Sequence, residues 1–260
     1  MTWGLVTAFR TLTILPVPGR DAGEMASSLP WFPVVGGVLG SLFAALALVT
    51  NELSGGHWPG GAAAAALAGG IVLTRAIHLD GLADWADGFG GGGDRKKTLA
   101  IMKDSATGVF GVTAIVAVLL IKWVSLARLV SAGAFVWIIA AAIISRGMQV
   151  EWAAWLSYAR PEGGTAASFV NGARPSHRWG ALLGALVLLL LFCGPAGGLA
   201  LAGGWLAAKG YGLWCRRRLG GITGDLLGAG SELVEALILT AAAMAGRELA
   251  KLSDWSVLYP

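Results

Sequence analysis

The sequence predicts an all-α integral membrane protein, built as a bundle of about seven transmembrane helices. Of its 260 residues, 56% are hydrophobic and only 13% are charged, whereas about 25% of the residues in an ordinary soluble domain carry a charge. So few charges cannot cover a water-facing surface, and the apolar residues are gathered into runs long enough to cross a bilayer. We therefore expect one membrane-embedded domain over residues 1–260, with the lipid bilayer as a partner.

The predicted elements begin with an N-terminal arm, residues 1–30. Its apolar run is too short to span a membrane and is interrupted by Pro16 and Pro18, so we expect it to lie near the interface. Lys122, near the far end of the third span, is expected to extend its amine toward the interface. The predicted spans are 31–49, 58–74, 109–126, 133–148, 179–192, 198–214 and 233–249.

Most Lys and Arg residues lie in the arm and in three loops, at about 75–107, 151–178 and 216–232. Seven spans place these loops on one side of the membrane. Because positively charged loops stay in the cytoplasm, we expect all three at the cytoplasmic face of the cell inner membrane. The net charge of +4 is too small and too dispersed to indicate nucleic-acid binding.

The first charged loop opens with the sequence HLDGLADWADG at residues 78–88. Asp80, Asp84 and Asp87 are spaced i, i+4 and i+7, which places three carboxylates on one helix face. A solvated charged face is one interpretation. The other is a Mg²⁺ site, because a divalent cation removes the repulsion and carboxylate oxygens suit Mg²⁺. His78 is expected to support this site or contact substrate.

Further candidates follow in the sequence IMKDSATGVFG at residues 101–111. We predict that Asp104 is a further metal ligand or the general base of a reaction. The neighbouring Lys103 adds a positive charge to the same short polar segment. Both residues are therefore assigned to a catalytic site together with Asp84.

The last charged loop, GGITGDLLGAGSELVE at residues 220–235, combines glycines with acidic side chains. Its glycines allow close approach of the backbone to a ligand, and we predict that Thr223, Asp225 and Glu232 bind substrate. A tight turn in which Asp225 caps the next helix is the alternative. That alternative does not explain Glu232 and Glu235 at the membrane edge.

Two arginines complete the candidate site. Arg160, within YARPEGG at residues 158–164, offers a guanidinium group suited to phosphate. Arg146 lies at the end of the fourth span and is interpreted either as a substrate contact or as a positively charged anchor at the membrane face.

These blocks resemble the cobalamin synthase family, the adenosylcobinamide-GDP ribazoletransferases. The resemblance covers most of the chain and also includes LTILPVP at residues 12–18, FPVVGGVLG at 32–40 and SRGMQ at 145–149. The blocks occur in the family's order, and the aspartate and MKDS blocks are the most specific. One departure is Ile14, where the family usually has an arginine.

The resemblance implies a Mg²⁺-dependent transferase that joins adenosylcobinamide-GDP to α-ribazole or its 5′-phosphate and releases GMP. Association with other corrinoid-pathway enzymes and homo-oligomerisation are left open. Another membrane phosphotransferase of the CDP-alcohol type uses similar chemistry and is the alternative enzyme. An ion-coupled transporter would also place acidic residues near the membrane, but the internal repeats expected of one are not visible in the sequence.

Overall fold

The prediction of an all-α membrane protein is confirmed by the structure, a computed structural model that describes the backbone of residues 2–252 and the side chains of residues 3–246. Within that range the chain forms ten α-helices and one 3₁₀ helix, and no strand. The 3₁₀ helix covers Met25–Trp31. The α-helices are α1 Thr2–Leu12, α2 Phe32–Leu53, α3 Pro59–Leu73, α4 Ile77–Gly91, α5 Arg95–Ile101, α6 Val109–Ser131, α7 Val136–Trp155, α8 Ala167–Asn171, α9 Pro175–Leu219 and α10 Gly224–Leu252.

The long apolar helices account for the membrane-embedded character of the chain. Four of them are long and apolar enough to cross a bilayer: the stretch Met25–Leu53, α6, α9, and the Gly224–Gly246 part of α10. A fifth span results if α3 and α4, which are bent by 88° relative to each other, are taken together. The predicted number of seven is thus not confirmed.

The length of α9 hides a reversal of the chain at Gly194. This glycine has φ 54° and ψ −150°, and Pro195 follows it. A Cβ added to Gly197 would lie 2.5 Å from the carbonyl oxygen of Leu189, although eight residues of straight helix would separate the two by about 12 Å. The two arms of α9 therefore lie side by side, and the break falls where the sequence predicted one, between the fifth and sixth spans.

The bend between α3 and α4 is held by the N-terminal arm. Arg75 and Ala76 both have φ 54°, a left-handed conformation that is uncommon for residues with a side chain. The Arg75 guanidinium donates to the carbonyl oxygen of Arg10 at 3.2 Å, and the amide of Ile14 donates to Leu73 at 2.8 Å. The arm is thus an integral part of the fold, and it fixes the direction in which α4 leaves the bend.

Helix α7 lies at the centre of the bundle, with almost every residue from Trp137 to Ala153 buried. Near its end the Glu151 carboxylate, which is fully buried, pairs with Arg178 and with Lys209, each at 2.6 Å. Arg178 lies on the first arm of α9 and Lys209 on the second. One buried carboxylate therefore joins α7 to both arms of α9.

Candidate active site

The aspartate helix α4 crosses the first turns of α10 at very short range. A Cβ on Gly81 would lie 2.5 Å from the carbonyl oxygen of Asp225, and a Cβ on Gly228 would lie 3.1 Å from the Cα of His78. Small residues on both helices permit this approach. The crossing brings two blocks that lie far apart in the sequence into direct contact.

Three carboxylates gather at this crossing. Asp80 is exposed and Asp84 half-buried on successive turns of α4, while Asp225 lies opposite on α10. Asp225, Asp80 and Asp87 are all close enough for their negative charges to interact with the Asp84 carboxylate. Like charges so placed repel one another, and a bound cation would relieve that repulsion.

The donor set at the crossing fits Mg²⁺ bound in its usual way. Among residues with described side chains, no three His, Cys, Asp or Glu side chains converge closely enough to enclose a metal ion. Mg²⁺, however, is commonly held by one or two carboxylates, with water and substrate phosphates completing its shell. Asp80 and Asp84 can supply those carboxylates.

Asp87, the third aspartate of the predicted helix face, contacts backbone amides. Its buried carboxylate accepts hydrogen bonds from the amides of Gly108, at 2.6 Å, and Gly111, at 2.9 Å. These are unpaired amides at the start of α6, so Asp87 satisfies donors that the helix itself leaves open. The carboxylate joins the end of α4 to the start of α6, and its role as a metal ligand stays a prediction.

Arg160 reaches the crossing from the loop after α7. Its guanidinium donates to the Asp225 carboxylate at 2.7 Å and to the carbonyl oxygen of Met102 at 3.3 Å. The adjoining backbone is fixed by a short pairing with the loop before α10, in which Ala159 donates to Ile222 and Ile222 donates to Ser157, each at 2.9 Å. The predicted grouping of Arg160 with Asp225 is therefore present.

Thr223, rather than Asp225, caps α10. The Thr223 hydroxyl accepts from the amide of Leu226 at 3.3 Å and lies 3.4 Å from the Asp225 carboxylate. The capping interpretation of Asp225 is thus wrong, because this residue lies inside the first turn with its carboxylate directed at Arg160. Thr223 is completely buried, so its hydroxyl does not face solvent. The contacts that it makes orient the start of α10.

Lys103 and Asp104 lie in an exposed turn between α5 and α6. The Asp104 carboxylate accepts from the amide of Ala106 at 3.1 Å, which stabilises the turn. No contact within the described part of the chain joins either side chain to the carboxylates of α4. The turn does border the site, since Arg160 bonds to the preceding Met102.

Arg146 and Glu232 lie in a second polar cluster, inside the bundle. The Lys122 amine pairs with Glu232 at 2.6 Å and with Glu235 at 2.8 Å, and Arg146 pairs with Glu235 and with the Ser145 hydroxyl. The cluster borders a cavity of only about 40 Å³. It joins α6, α7 and α10, and hereafter we call it the buried ion cluster.

Two sequence-based expectations are corrected by this cluster, and a third residue has a partner that the sequence did not indicate. The side chain of Lys122 is only 4% exposed, so it does not extend to the interface as predicted. Arg146 is 2% exposed, so it is not a surface anchor. Glu232, for which substrate binding was predicted, pairs with Lys122 inside the bundle. Each of these charges has its partner on another helix, which local sequence patterns cannot show.

A larger cavity of about 340 Å³ opens beside the crossing of α4 and α10. His78, Asp80 and Asp225 line it, together with Gln149, a residue that the sequence analysis did not single out. Gln149 lies within the SRGMQ block, so its block was recognised although its role was not. The remaining walls of the cavity are formed by Thr11, Leu12, Phe32, Ile77, Thr165, Ala166, Phe169, Gly224, Leu227 and Gly228.

Arg95 is a second residue that the sequence analysis missed. Its guanidinium donates to the carbonyl oxygens of Leu219, at 2.7 Å, and Ala159, at 2.6 Å. It thereby joins α5 to the end of α9 and to the loop that carries Arg160. The only sequence signal was its place in a basic run, which is equally typical of a solvated loop.

Comparison with known proteins shows which family the sequence matches. A family model described as cobalamin-5-phosphate synthase matches residues 4–243. A protein of Chlorobium chlorochromatii named adenosylcobinamide-GDP ribazoletransferase is 49% identical over 241 residues, which cover 92% of this chain and 94% of the relative. Proteins with the same name are 50% identical in Chlorobaculum tepidum, over 94% of this chain and 96% of the relative, and 42% identical in Syntrophobacter fumaroxidans, over 93% and 97%. No solved structure matches. The chain belongs to the cobalamin-5-phosphate synthase family.

Proposed function

We propose that this chain is a membrane-embedded adenosylcobinamide-GDP ribazoletransferase. The family and the names of its relatives support the overall reaction. The structural observation that carries the proposal is the crossing of α4 and α10, where Asp80 and Asp84 meet the pair of Asp225 and Arg160. Carboxylates for a cation beside a guanidinium for phosphate are what transfer of a phosphoryl group requires.

In the reaction, a ribose hydroxyl of ribazole attacks the phosphorus that is attached to the corrinoid side chain. A new phosphorus–oxygen ester bond forms, the pyrophosphate bond breaks, and GMP leaves with the electron pair of that bond. The hydroxyl proton passes to a base. In our proposal this base is Asp104, and the exposed turn that carries it lies against the bound substrate, with Lys103 beside the phosphates.

Asp80 and Asp84 would hold Mg²⁺, which when bound neutralises charge on the pyrophosphate. Arg160 is positioned for the remaining phosphate charge, because Asp225 fixes one of its nitrogens and leaves other N–H groups of the planar guanidinium free to donate. Its Nε has no hydrogen-bond partner among the described residues. Asp225 is therefore the residue that orients Arg160.

We further propose that the site faces the cytoplasm at the cell inner membrane. The support for this orientation is the concentration of Lys and Arg in the loops that surround α4, α8 and the start of α10, since such loops stay on the cytoplasmic side.

The test is GMP release by the purified protein in detergent, with adenosylcobinamide-GDP and α-ribazole as substrates and Mg²⁺ varied against a chelator control. We expect Mg²⁺-dependent release, and we expect Asp84→Asn to abolish it while the protein stays folded. The function would be refuted if the folded wild-type protein released no GMP. The metal assignment would be refuted by near wild-type activity of Asp84→Asn at limiting Mg²⁺.

A further inference from the structure

We propose that the cavity of about 340 Å³ beside the crossing is the binding site for the nucleoside substrate, ribazole. Its aromatic base would lie among the apolar walls and its ribose would point toward Asp80 and Asp225. This inference rests on the proposed function and adds which part of the molecule receives which substrate.

The size and walls of the cavity fit a flat heteroaromatic base. Pockets for small ligands are commonly about 300–1,000 Å³, with apolar and aromatic walls and a few polar groups. Here the rings of Phe32 and Phe169 lie 6.3 Å apart at 58° to each other, and Leu12 and Leu227 contribute further apolar surface. A corrinoid macrocycle is too large for such a space, whereas a base of two fused rings with its ribose is not.

The described lining of the cavity offers no cationic side chain to the other substrate's diphosphate. The charged residues in its lining are Asp80 and Asp225, and no Lys or Arg contributes to the described walls. Phosphate groups are bound by cationic donors, so in our proposal the diphosphate lies beside Arg160 and the cation held by Asp80 and Asp84, not among the apolar walls of the cavity. An uncharged nucleoside needs no cationic partner. Asp225 lines the cavity and also holds Arg160, so it marks the boundary between a nucleoside side and a phosphate side of the site.

A buried donor on a residue that lines the cavity lacks a partner. His78 and Gln149 are 5% and 3% exposed, and the Gln149 amide nitrogen lies 2.9 Å from Nε2 of His78. Because an amide NH₂ can only donate, Nε2 accepts, and the hydrogen of the neutral imidazole is then on Nδ1. That Nδ1 has no hydrogen-bond partner among the described residues. An unpaired buried N–H is costly, and an acceptor atom of the nucleoside would satisfy it.

Two substitutions of His78 test the donor. The side-chain amide of Asn can place an N–H where Nδ1 was, whereas that of Gln places one where Nε2 was. Binding of α-ribazole alone would be measured by titration calorimetry on the full chain in detergent. We expect His78→Asn to bind within about twofold of wild type and His78→Gln to bind roughly fivefold more weakly, the loss of about one hydrogen bond. Equal affinities of the two variants would overturn the role of Nδ1.

Filling the cavity tests its occupant. Phe169→Trp adds volume to the wall, and we expect it to weaken α-ribazole binding more than tenfold while adenosylcobinamide-GDP binding is unchanged. Phe135→Trp is the matched control. Phe135 is half-buried at the start of α7, away from the end that carries Gln149 of the cavity, so this variant should leave both affinities unchanged. Thermal unfolding of each variant verifies that it is folded.

The outcomes separate this inference from the function on which it rests. Unchanged α-ribazole binding by Phe169→Trp, with normal GMP release by the wild type, overturns the cavity assignment alone. A selective loss of adenosylcobinamide-GDP binding in that variant also overturns it, because the cavity would then serve the other substrate. Absence of GMP release by the wild type overturns the proposed function.

Discussion

Replacing Lys122 by Met should destabilise the protein strongly. The side chain is 4% exposed and its amine contacts the carboxylates of Glu232 and Glu235 at 2.6 and 2.8 Å. Met has nearly the same length and shape as Lys, so the substitution removes the charge and its hydrogen bonds with little change in packing. The effect is therefore electrostatic rather than one of cavity formation.

Charge balance sets the expected magnitude. Lys122 and Arg146 supply two positive charges, and Glu232 and Glu235 supply two negative ones, so the buried ion cluster is neutral. Lys122→Met leaves one uncompensated carboxylate inside the bundle. Removing one partner of a buried ion pair costs about 3–5 kcal/mol, which in a chain of this size lowers Tm by roughly 6–20 °C.

The assay is thermal unfolding in detergent, followed by circular dichroism. Lys96→Met is the matched control, because Lys96 is exposed in α5 and its loss should leave Tm nearly unchanged. The double variant Lys122→Met/Glu232→Gln restores neutrality and should recover part of the lost stability. A Tm of Lys122→Met equal to that of Lys96→Met would refute the reasoning, as would a double variant less stable than the single one.

Three further predictions concern the site and its orientation. Asp225→Asn removes the ion pair with Arg160, so GMP release should fall severalfold while Tm changes little; unchanged turnover would contradict the charge role. Asp87→Asn should lower Tm, because the carboxylate accepts two amides at the start of α6, and an unchanged Mg²⁺ concentration for half-maximal GMP release would limit Asp87 to this structural role. An increase in that concentration would instead make Asp87 a metal ligand. In a chain whose native cysteines are replaced, single cysteines at Gly93 and Arg217 should react with an impermeant thiol reagent from the cytoplasmic side only, and one at Ser54 from the opposite side only. Labelling of Gly93 and Arg217 from different sides would exclude a single site.

The sequence predicted the helical class and the polar blocks because both depend on local information. Asp80 and Asp84 needed only helical spacing to be placed on one face, and α4 does run through both. The low content of charged residues was sufficient to indicate membrane helices. That the α4 and α10 blocks touch could be proposed from their shared composition, since both combine acidic side chains with glycine.

What the sequence could not show is pairing between distant helices. Lys122 near the end of an apolar run has the pattern of a residue that extends to the interface, and only α10, 110 residues later, supplies its partner. Gln149 and Arg95 were missed for the same reason, because their partners lie in other elements. The number of spans was uncertain because α3 turns through 88° into α4, a bend whose left-handed residues, Arg75 and Ala76, are not glycines.

Helix α10 carries residues of both the crossing with α4 and the buried ion cluster. Asp225 lies in its first turn and Glu232 two turns later, about 10 Å along the same helix. Rotating α10 by one residue would turn both side chains by about 100°, which would break the Lys122 pair and direct Asp225 away from Arg160. The buried ion cluster therefore fixes the rotation of the helix that orients the phosphate-binding guanidinium. A charge-balanced cluster inside the bundle can in this way determine the geometry of a site two turns away on the same helix, and its loss should lower turnover as well as stability.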